Sequence, residues 1–409
     1  MDLLLLTNSF PHDRITEFLD IEIGYLCSQF DRVRVCPQRP KGPLVRDLPG
    51  NAVVDYSLAA SMCPPGSILG GRARAAVGLG SLVRSWGLGS GRSRRWSEDD
   101  VLKLSWWRAM TQYRADVVTI RRWAEAAAPP SLAYTFWLSC ATAGLKLAWP
   151  DVPLVTRAHG GDIYSEVFGW RDYPFQGMEL ASVDRVYCVS DQGRTYLARK
   201  YPQVKPRLRA GRLGIKDLGR PAVLGRGGRT SLRVLSASSI DQNKRVELIA
   251  RAVGALAAMG LDVEWVHYGE GPSRRSVEEV VDSFPASARG VLAGQVAQEV
   301  VRQEFQSGRW DVFVNLSQSE GVPVSLMEAQ CVGLPVVATS VGGTPEVVDS
   351  RWNELASVEE GPAEIAVRIR RAADSDVQFV QLRRANWSKL FDADKNYADF
   401  AQELRTLAR

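Results

Sequence analysis

Apolar residues along this chain alternate between two patterns: short continuous runs, and longer stretches that put apolar side chains on one helical face. Residues 3–6 are four leucines followed by Thr7, Asn8 and Pro11, which predicts a buried strand entering a loop. Residues 16–30 set Phe18, Leu19, Ile21, Ile23, Leu26 and Phe30 on a broad helical face, and 33–36 returns to a strand. Further strands are predicted at 133–134, 152–157 and 185–189, with a small-residue helix over 139–149. The second half repeats the scheme, with strands at 232–236, 263–268, 312–315 and 335–338 and helices at 246–259 and 323–332. Such alternation is the pattern of a parallel α/β sheet. Residues 221–230 hold Gly225, Arg226, Gly227, Gly228, Arg229 and Thr230, a flexible polar linker. The expectation is two Rossmann-like domains, 1–220 and 221–385, facing across a cleft, with a helix over 386–409 packing back on the first. Ligands in such sheets sit at the carboxyl ends of strands, so a cleft between two would hold two substrates.

Composition fits that fold and narrows the rest. Of 409 residues, 45% are hydrophobic and 24% charged, which excludes a disordered, collagen-like or coiled-coil chain. The net charge of +5 is mild and no recognition motif accompanies it, so nucleic acid is not an expected partner. Six scattered cysteines without a Cys-x-x-Cys pair, and only three histidines, argue against zinc. No basic segment precedes residues 3–6, and no run approaches the ~18 apolar residues of a membrane span. A soluble or peripheral protein of a reducing cytoplasm is expected. One segment departs from the average. Between Tyr56 and Ser97 there is no Asp or Glu, while Arg72, Arg74, Arg84, Arg92, Arg94 and Arg95 are interleaved with apolar residues, Trp86 and Trp96 among them. Arginines beside tryptophans suit an anionic membrane surface. A glycine-rich insertion with solvated arginines is the other reading.

Chemistry concentrates between Asn315 and Thr339. A strand ends near Asn315, and Gly321, Val322 and Pro323 turn into a helix whose unpaired N–H groups and positive dipole end form an anion site. Pro323 suits the first helical turn, and Ser325 adds a hydroxyl donor. Glu320 and Glu328 flank this cradle with seven residues between them, able to accept hydrogen bonds from sugar hydroxyls on either side of a diphosphate. Gly342 and Gly343 form the loop after the next strand. His159, Gly160, Gly161 and Asp162 follow the strand at 152–157, which sets a polar donor at a strand's carboxyl end.

EGVPVSLMEAQCVGLPVVAT resembles the donor-site motif of the retaining glycosyltransferases of family 4, enzymes of GT-B fold. FPHDRITEFLDIEIGYL, TRAHGGDIY, VYCVSDQGRTYLARKYP, NKRVELIARAV, HYGEGP and ANWSKLFDADKNYADF resemble segments of a bacterial subgroup that builds capsules and exopolysaccharides. The resemblance implies transfer of a hexose-type sugar from a nucleoside-diphosphate sugar to a hydroxyl of a glycan or lipid-linked acceptor. It implies that Glu328 holds the ribose, that Glu320 contacts the donor sugar, and that the loop Gly321, Val322, Pro323, Val324 and Ser325 takes the diphosphate through its N–H groups. Lys244 matches a lysine used on the phosphates, Gly269 and Gly271 lie where the base is held, and His159 lines the acceptor side near the reacting carbon. Asp162 orients that histidine or caps the next helix. The chain departs from the family at two points. Ser239 stands where many members have an arginine, with Arg245 or an arginine of the first domain the candidates to compensate, and the first loop lacks glycine, with Arg14 the candidate to supply charge.

A paired-carboxylate retaining mechanism needs a nucleophile under the sugar, and no motif supplies one. The resemblance implies same-face attack instead, with the leaving diphosphate helping to take the acceptor proton. No Asp-x-Asp motif stands out, so neither metal nor other cofactor is expected. Two further readings stay open: another GT-B enzyme such as an epimerase or phosphorylase, and a non-catalytic nucleotide-sugar-binding protein. Structural or solvated roles are expected for His12 and His267, and capping or exposed-face roles for Glu17 and Glu22.

Overall fold

The computed structural model describes the chain except residues 13–16, 45–46, 63–97, 165–174, 220–229 and 376; the side chains of 17 and 98–110 are not described either. Arg14 and the arginine cluster Arg72, Arg74, Arg84, Arg92, Arg94 and Arg95 therefore lie outside the described residues. The chain divides into two compact units. The first comprises Met1–Tyr187, Leu197–Arg209 and Ala401–Arg409, the second Cys188–Tyr196 and Ala210–Phe400.

The first sheet has seven strands: β1 (Asp2–Thr7), β2 (Arg32–Pro37), β3 (Ala52–Val54), β4 (Leu132–Thr135), β5 (Leu154–Ala158), β6 (Arg185–Cys188) and β7 (Leu208–Ala210), in the order β3-β2-β1-β4-β5-β6-β7. β1 pairs in parallel with both β2 and β4, Leu5 lying opposite Val35 and Tyr134. Central position explains its run of leucines, for a strand covered on both faces needs no polar alternation. Leu3, Leu4 and Leu5 are fully buried.

The helix Glu17–Gln29 corrects one expectation. Glu22 is not on an exposed face: its carboxylate meets Arg157 at 3.0 Å, both side chains are fully buried, and Tyr134 donates its hydroxyl to Glu22 at 2.9 Å. Burial raises the Glu22 carboxyl above its ordinary range, and the Arg157 charge pulls it back. The helix Glu98–Glu125, 28 residues long, was not anticipated. Glu98, Asp99 and Asp100 form its first turn.

The second sheet has six strands: β8 (Ser231–Ala237), β9 (Asp262–Tyr268), β10 (Ala288–Gly294), β11 (Val312–Asn315), β12 (Val336–Thr339) and β13 (Glu354–Ala356), in the order β10-β9-β8-β11-β12-β13. The edge strands β10 and β13 escaped the hydrophobic pattern because they carry no continuous buried run. The helix Val246–Ala258 buries Val246, Ile249, Ala250, Val253 and Leu256, spacings of three and four that make one apolar stripe, in a core shared with Trp265. The expected C-terminal helix is two, Phe379–Phe391 and Ala393–Leu407, because the backbone extends at Asp392. There Ile215 bonds to Phe391 and Ala393 on either side.

Each sheet is wound outward in both directions from its middle. The order reverses between β1 and β4 in the first and between β8 and β11 in the second. Ligands of open α/β sheets bind outside the carboxyl ends of the strands at such a switch point. Among the described residues, no helix is long and apolar enough to cross a membrane.

Candidate active site

In the second unit, the loops leaving β8 and β11 meet at the switch point. Lys244 ends the first and donates from Nζ to Glu320 Oε1, in the second, at 2.6 Å. Ser317 donates its hydroxyl to the same oxygen at 2.6 Å. Both charged side chains are mostly buried, 22% exposed for Lys244 and 10% for Glu320, so the pair is tighter than a surface ion pair. An ammonium has three donors, and Glu320 occupies one, which leaves two for a ligand.

Asn243 stitches the two loops. Its side chain accepts from Ser319 N at 3.0 Å and donates to Ser319 O at 3.1 Å, while its carbonyl accepts from Gln318 N at 2.7 Å. Only the fold reveals that Asn243, the residue before Lys244, sets the spacing between Lys244 and Glu320.

The loop 320–325 is held from below by glycines. Gly342 has φ +49°, and a Cβ there would stand 1.8 Å from Glu320 O, so no other residue fits without moving Glu320. Gly321 O accepts from Gly343 N at 2.9 Å. Pro323 is not inside the first helical turn, as expected, but precedes it with an extended ψ of 122°. Helix Val324–Cys331 follows, and no side chain caps its N-terminus. Val324 and Ser325 present that end half-exposed, while Val322 is buried beneath.

Glu328, further along the same helix, is fully buried. Its carboxylate accepts from Gln298 Nε2 at 2.8 and 3.0 Å and from Arg302 Nε at 3.2 Å, both on the helix Gln298–Gln306. Neither partner was singled out from the sequence, because that amphipathic helix carries no motif of its own.

Arg245 does not stand beside Lys244 as a second phosphate cation. Its backbone is left-handed, φ +49°, and its guanidinium donates to Leu316 O at 2.6 Å and Val358 O at 2.7 Å. Ser239 donates its hydroxyl to Asp241 at 2.7 Å. Gly269 and Gly271 line the loop after β9. Gly269 has φ +142°, and a Cβ there would meet Ser238 O at 1.8 Å; one on Gly271 would meet Ile240 O at 2.3 Å. His267 lies directly beneath, its ring bonded to Ser236 Oγ at 2.8 Å and Ser238 O at 3.1 Å. Burial pushes its pKa down to about 4, so the ring is neutral, a structural histidine as expected. His12 likewise has both ring nitrogens engaged, with Gly42 O at 3.0 Å and Tyr56 at 2.8 Å.

In the first unit, His159 follows β5 and begins a single helical turn, Gly160–Ile163. Asp162 caps that turn by accepting from His159 N, and it also accepts from Leu138 N at 2.9 Å. Its carboxylate stays 4.0 Å from His159 Nδ1, beyond hydrogen-bond range. The His159 side chain is 8% exposed. Burial keeps it neutral, outweighing the pull of Asp162.

Residues 231–375 match the family described as "Glycosyl transferases group 1", so the second unit carries a domain of that group. The chain is 29% identical over 129 residues to the phosphatidylinositol N-acetylglucosaminyltransferase gpi3 subunit of Schizosaccharomyces pombe, covering 32% of this chain but 28% of that one. It is 27% identical over 186 residues to the amylovoran biosynthesis glycosyltransferase AmsK of Erwinia amylovora, 43% of this chain and 45% of the relative. The matched stretches thus span less than half of these two relatives. The solved structure of Anabaena HepE in complex with UDP and glucose is 16% identical and superposes with a TM-score of 0.62 over 99% of this chain and 100% of that one. The fold is GT-B, two Rossmann-like domains each built on a parallel sheet.

Proposed function

We propose that this protein is a retaining glycosyltransferase, of the family 4 type, that moves a hexose-type sugar from a nucleoside-diphosphate sugar to a hydroxyl of a glycan or lipid-linked acceptor. The observation that carries the reading is the Lys244–Glu320 pair beside the uncapped start of helix Val324–Cys331, inside the group 1 domain. The amides at 324–326 and the Lys244 ammonium seat the diphosphate. As the anomeric C–O bond breaks, negative charge builds on the leaving phosphate, and a fixed ammonium there lowers the barrier more than it tightens the ground state. The acceptor oxygen attacks from the face the phosphate leaves, and a phosphate oxygen takes its proton. Glu320 accepts from donor-sugar hydroxyls and Glu328 from the ribose.

The relative in amylovoran biosynthesis and the UDP-bound neighbour support this reading and suggest a place in polysaccharide or glycoconjugate assembly. In the same reading, His159 and Asp162 serve the acceptor side, the reaction runs without a metal, and the arginines from Arg72 to Arg95 rest on the cytoplasmic face of an anionic membrane. The commitment of Arg245 to main-chain carbonyls favours a second reading, a nucleotide-sugar-binding protein without turnover. Thermal-shift screening against a panel of nucleotide sugars, then turnover with the best donor, a glycan acceptor and EDTA, tests them. Product formation despite EDTA is expected. Stabilisation without product supports the second reading, and no stabilisation by any nucleotide sugar overturns both.

A further inference from the structure

The two buried histidines of this molecule differ in one respect. His267 has both ring nitrogens bonded within the protein. At His159 neither nitrogen has a hydrogen-bond partner among the described residues, although the side chain is only 8% exposed. A buried polar group without a partner is costly, so an imidazole kept that way is poised for a ligand. Asp162, the nearest acid, already takes the His159 and Leu138 amides and does not reach the ring.

The surroundings select the ligand. β4 runs directly into Phe136 and Trp137, and β5 into His159, so all three stand at the carboxyl ends of the strands beside the first sheet's switch point. The imidazole lies 4.8 Å from the Phe136 ring, at 47°, and 4.2 Å from the Trp137 ring, at 43°. Phe136 is fully buried, whereas Trp137 is half-buried. A neutral imidazole has one donor and one acceptor, and a sugar hydroxyl is both. A flat apolar indole suits the C–H face of a pyranose.

We infer that Trp137 and His159 form a hexose platform, on which one sugar ring of the acceptor stacks on the indole while a hydroxyl bonds to the imidazole. That the ring belongs to an acceptor rests on the glycosyltransferase reading; the platform itself rests on the first unit alone.

Saturation-transfer NMR of the full chain with a panel of methyl hexosides tests the platform, and thermal shift with UDP runs beside it. Wild type is expected to saturate the C–H protons of at least one methyl hexoside. Trp137→Ala should abolish that signal, Trp137→Phe should retain most of it, and His159→Gln should weaken affinity about tenfold. The UDP shift should be the same in all four proteins, which also reports that they fold. A Trp137→Ala protein that saturates the hexoside like wild type overturns the platform, as does a wild type that binds no hexoside of the panel. A wild type stabilised neither by UDP nor by any nucleotide sugar of the panel, with hexoside binding intact, would sink the glycosyltransferase reading and leave the platform standing.

Discussion

The two switch points are built on the same topology and furnished in opposite ways. In the second unit, the polar groups are bound to one another: Lys244 to Glu320, Glu320 to Ser317, Asn243 across both loops, and Glu328 to Gln298 and Arg302. In the first unit, an ion pair is sealed in the interior between Glu22 and Arg157, and two residues beyond Arg157 the His159 imidazole has no hydrogen-bond partner among the described residues and lies against Phe136 and Trp137. A prearranged polar cradle suits a highly charged ligand whose geometry is fixed, such as a diphosphate. An apolar wall with one unpartnered polar group suits a neutral ligand recognised by shape.

The largest break should come from the sealed pair. Arg157→Ala leaves the Glu22 carboxylate buried without its cation, which is expected to cost about 3–5 kcal/mol of stability. Calorimetric melting checks it, and the double change Glu22→Leu with Arg157→Met should recover most of the loss. On the polar side, Lys244→Ala should lower kcat by about a hundredfold with a smaller change in donor affinity, measured as turnover against calorimetric binding. Equal losses in both would place Lys244 in uniform binding instead. Glu328→Gln should leave the melting temperature near wild type and weaken nucleotide-sugar binding by about 1.5–3 kcal/mol in titration calorimetry. Arg302 is partly exposed, so Arg302→Ala should weaken the same binding by only about 1 kcal/mol or less.

The gentlest test uses pH, and the two units should answer in opposite directions. Burial raises Glu179, in the first unit, from 4.5 to about 8, against the pull of the Tyr113 hydroxyl. An acid whose pKa is higher folded than unfolded contributes most below 4.5 and loses that contribution as pH climbs to about 8. His267, in the second unit, is depressed from 6.5 to about 4, so its contribution is full above 6.5 and is lost as pH falls through 4. Melting curves from pH 4 to 9 should therefore lose their alkaline slope in Glu179→Gln and part of their acid slope in His267→Asn. Unaltered slopes in both would mean that neither group carries the linkage.

The central strands and the helices packed on them were legible because continuous burial writes itself as continuous hydrophobicity, as in the leucines of β1. The edge strands β10 and β13 were not, since half-exposed positions carry mixed residues. At the candidate site, the residues in a compact string, Glu320 to Glu328, stood out because the helix start that holds them is local. Asn243, Gln298, Arg302 and Trp137 did not, because what they do depends on partners brought together from other parts of the chain. Glu22 looked solvated for the same reason: its partner lies far along the sequence, on β5.

The first unit closes with Ala401–Arg409, after the whole of Ala210–Phe400 has gone into the second. Ala401 and Leu404 are fully buried, and the backbone N–H of Arg409 donates to Ser131 O at 3.1 Å, beside the start of β4. On a ribosome this fixes a schedule. At about 5–20 residues per second, the second unit takes about 10–40 s to emerge. Throughout that interval the earlier-made unit lacks the segment that completes it. The part of the protein born first is therefore finished last, and a pause or premature stop near Phe400 would strand a complete second unit beside an unsealed first one.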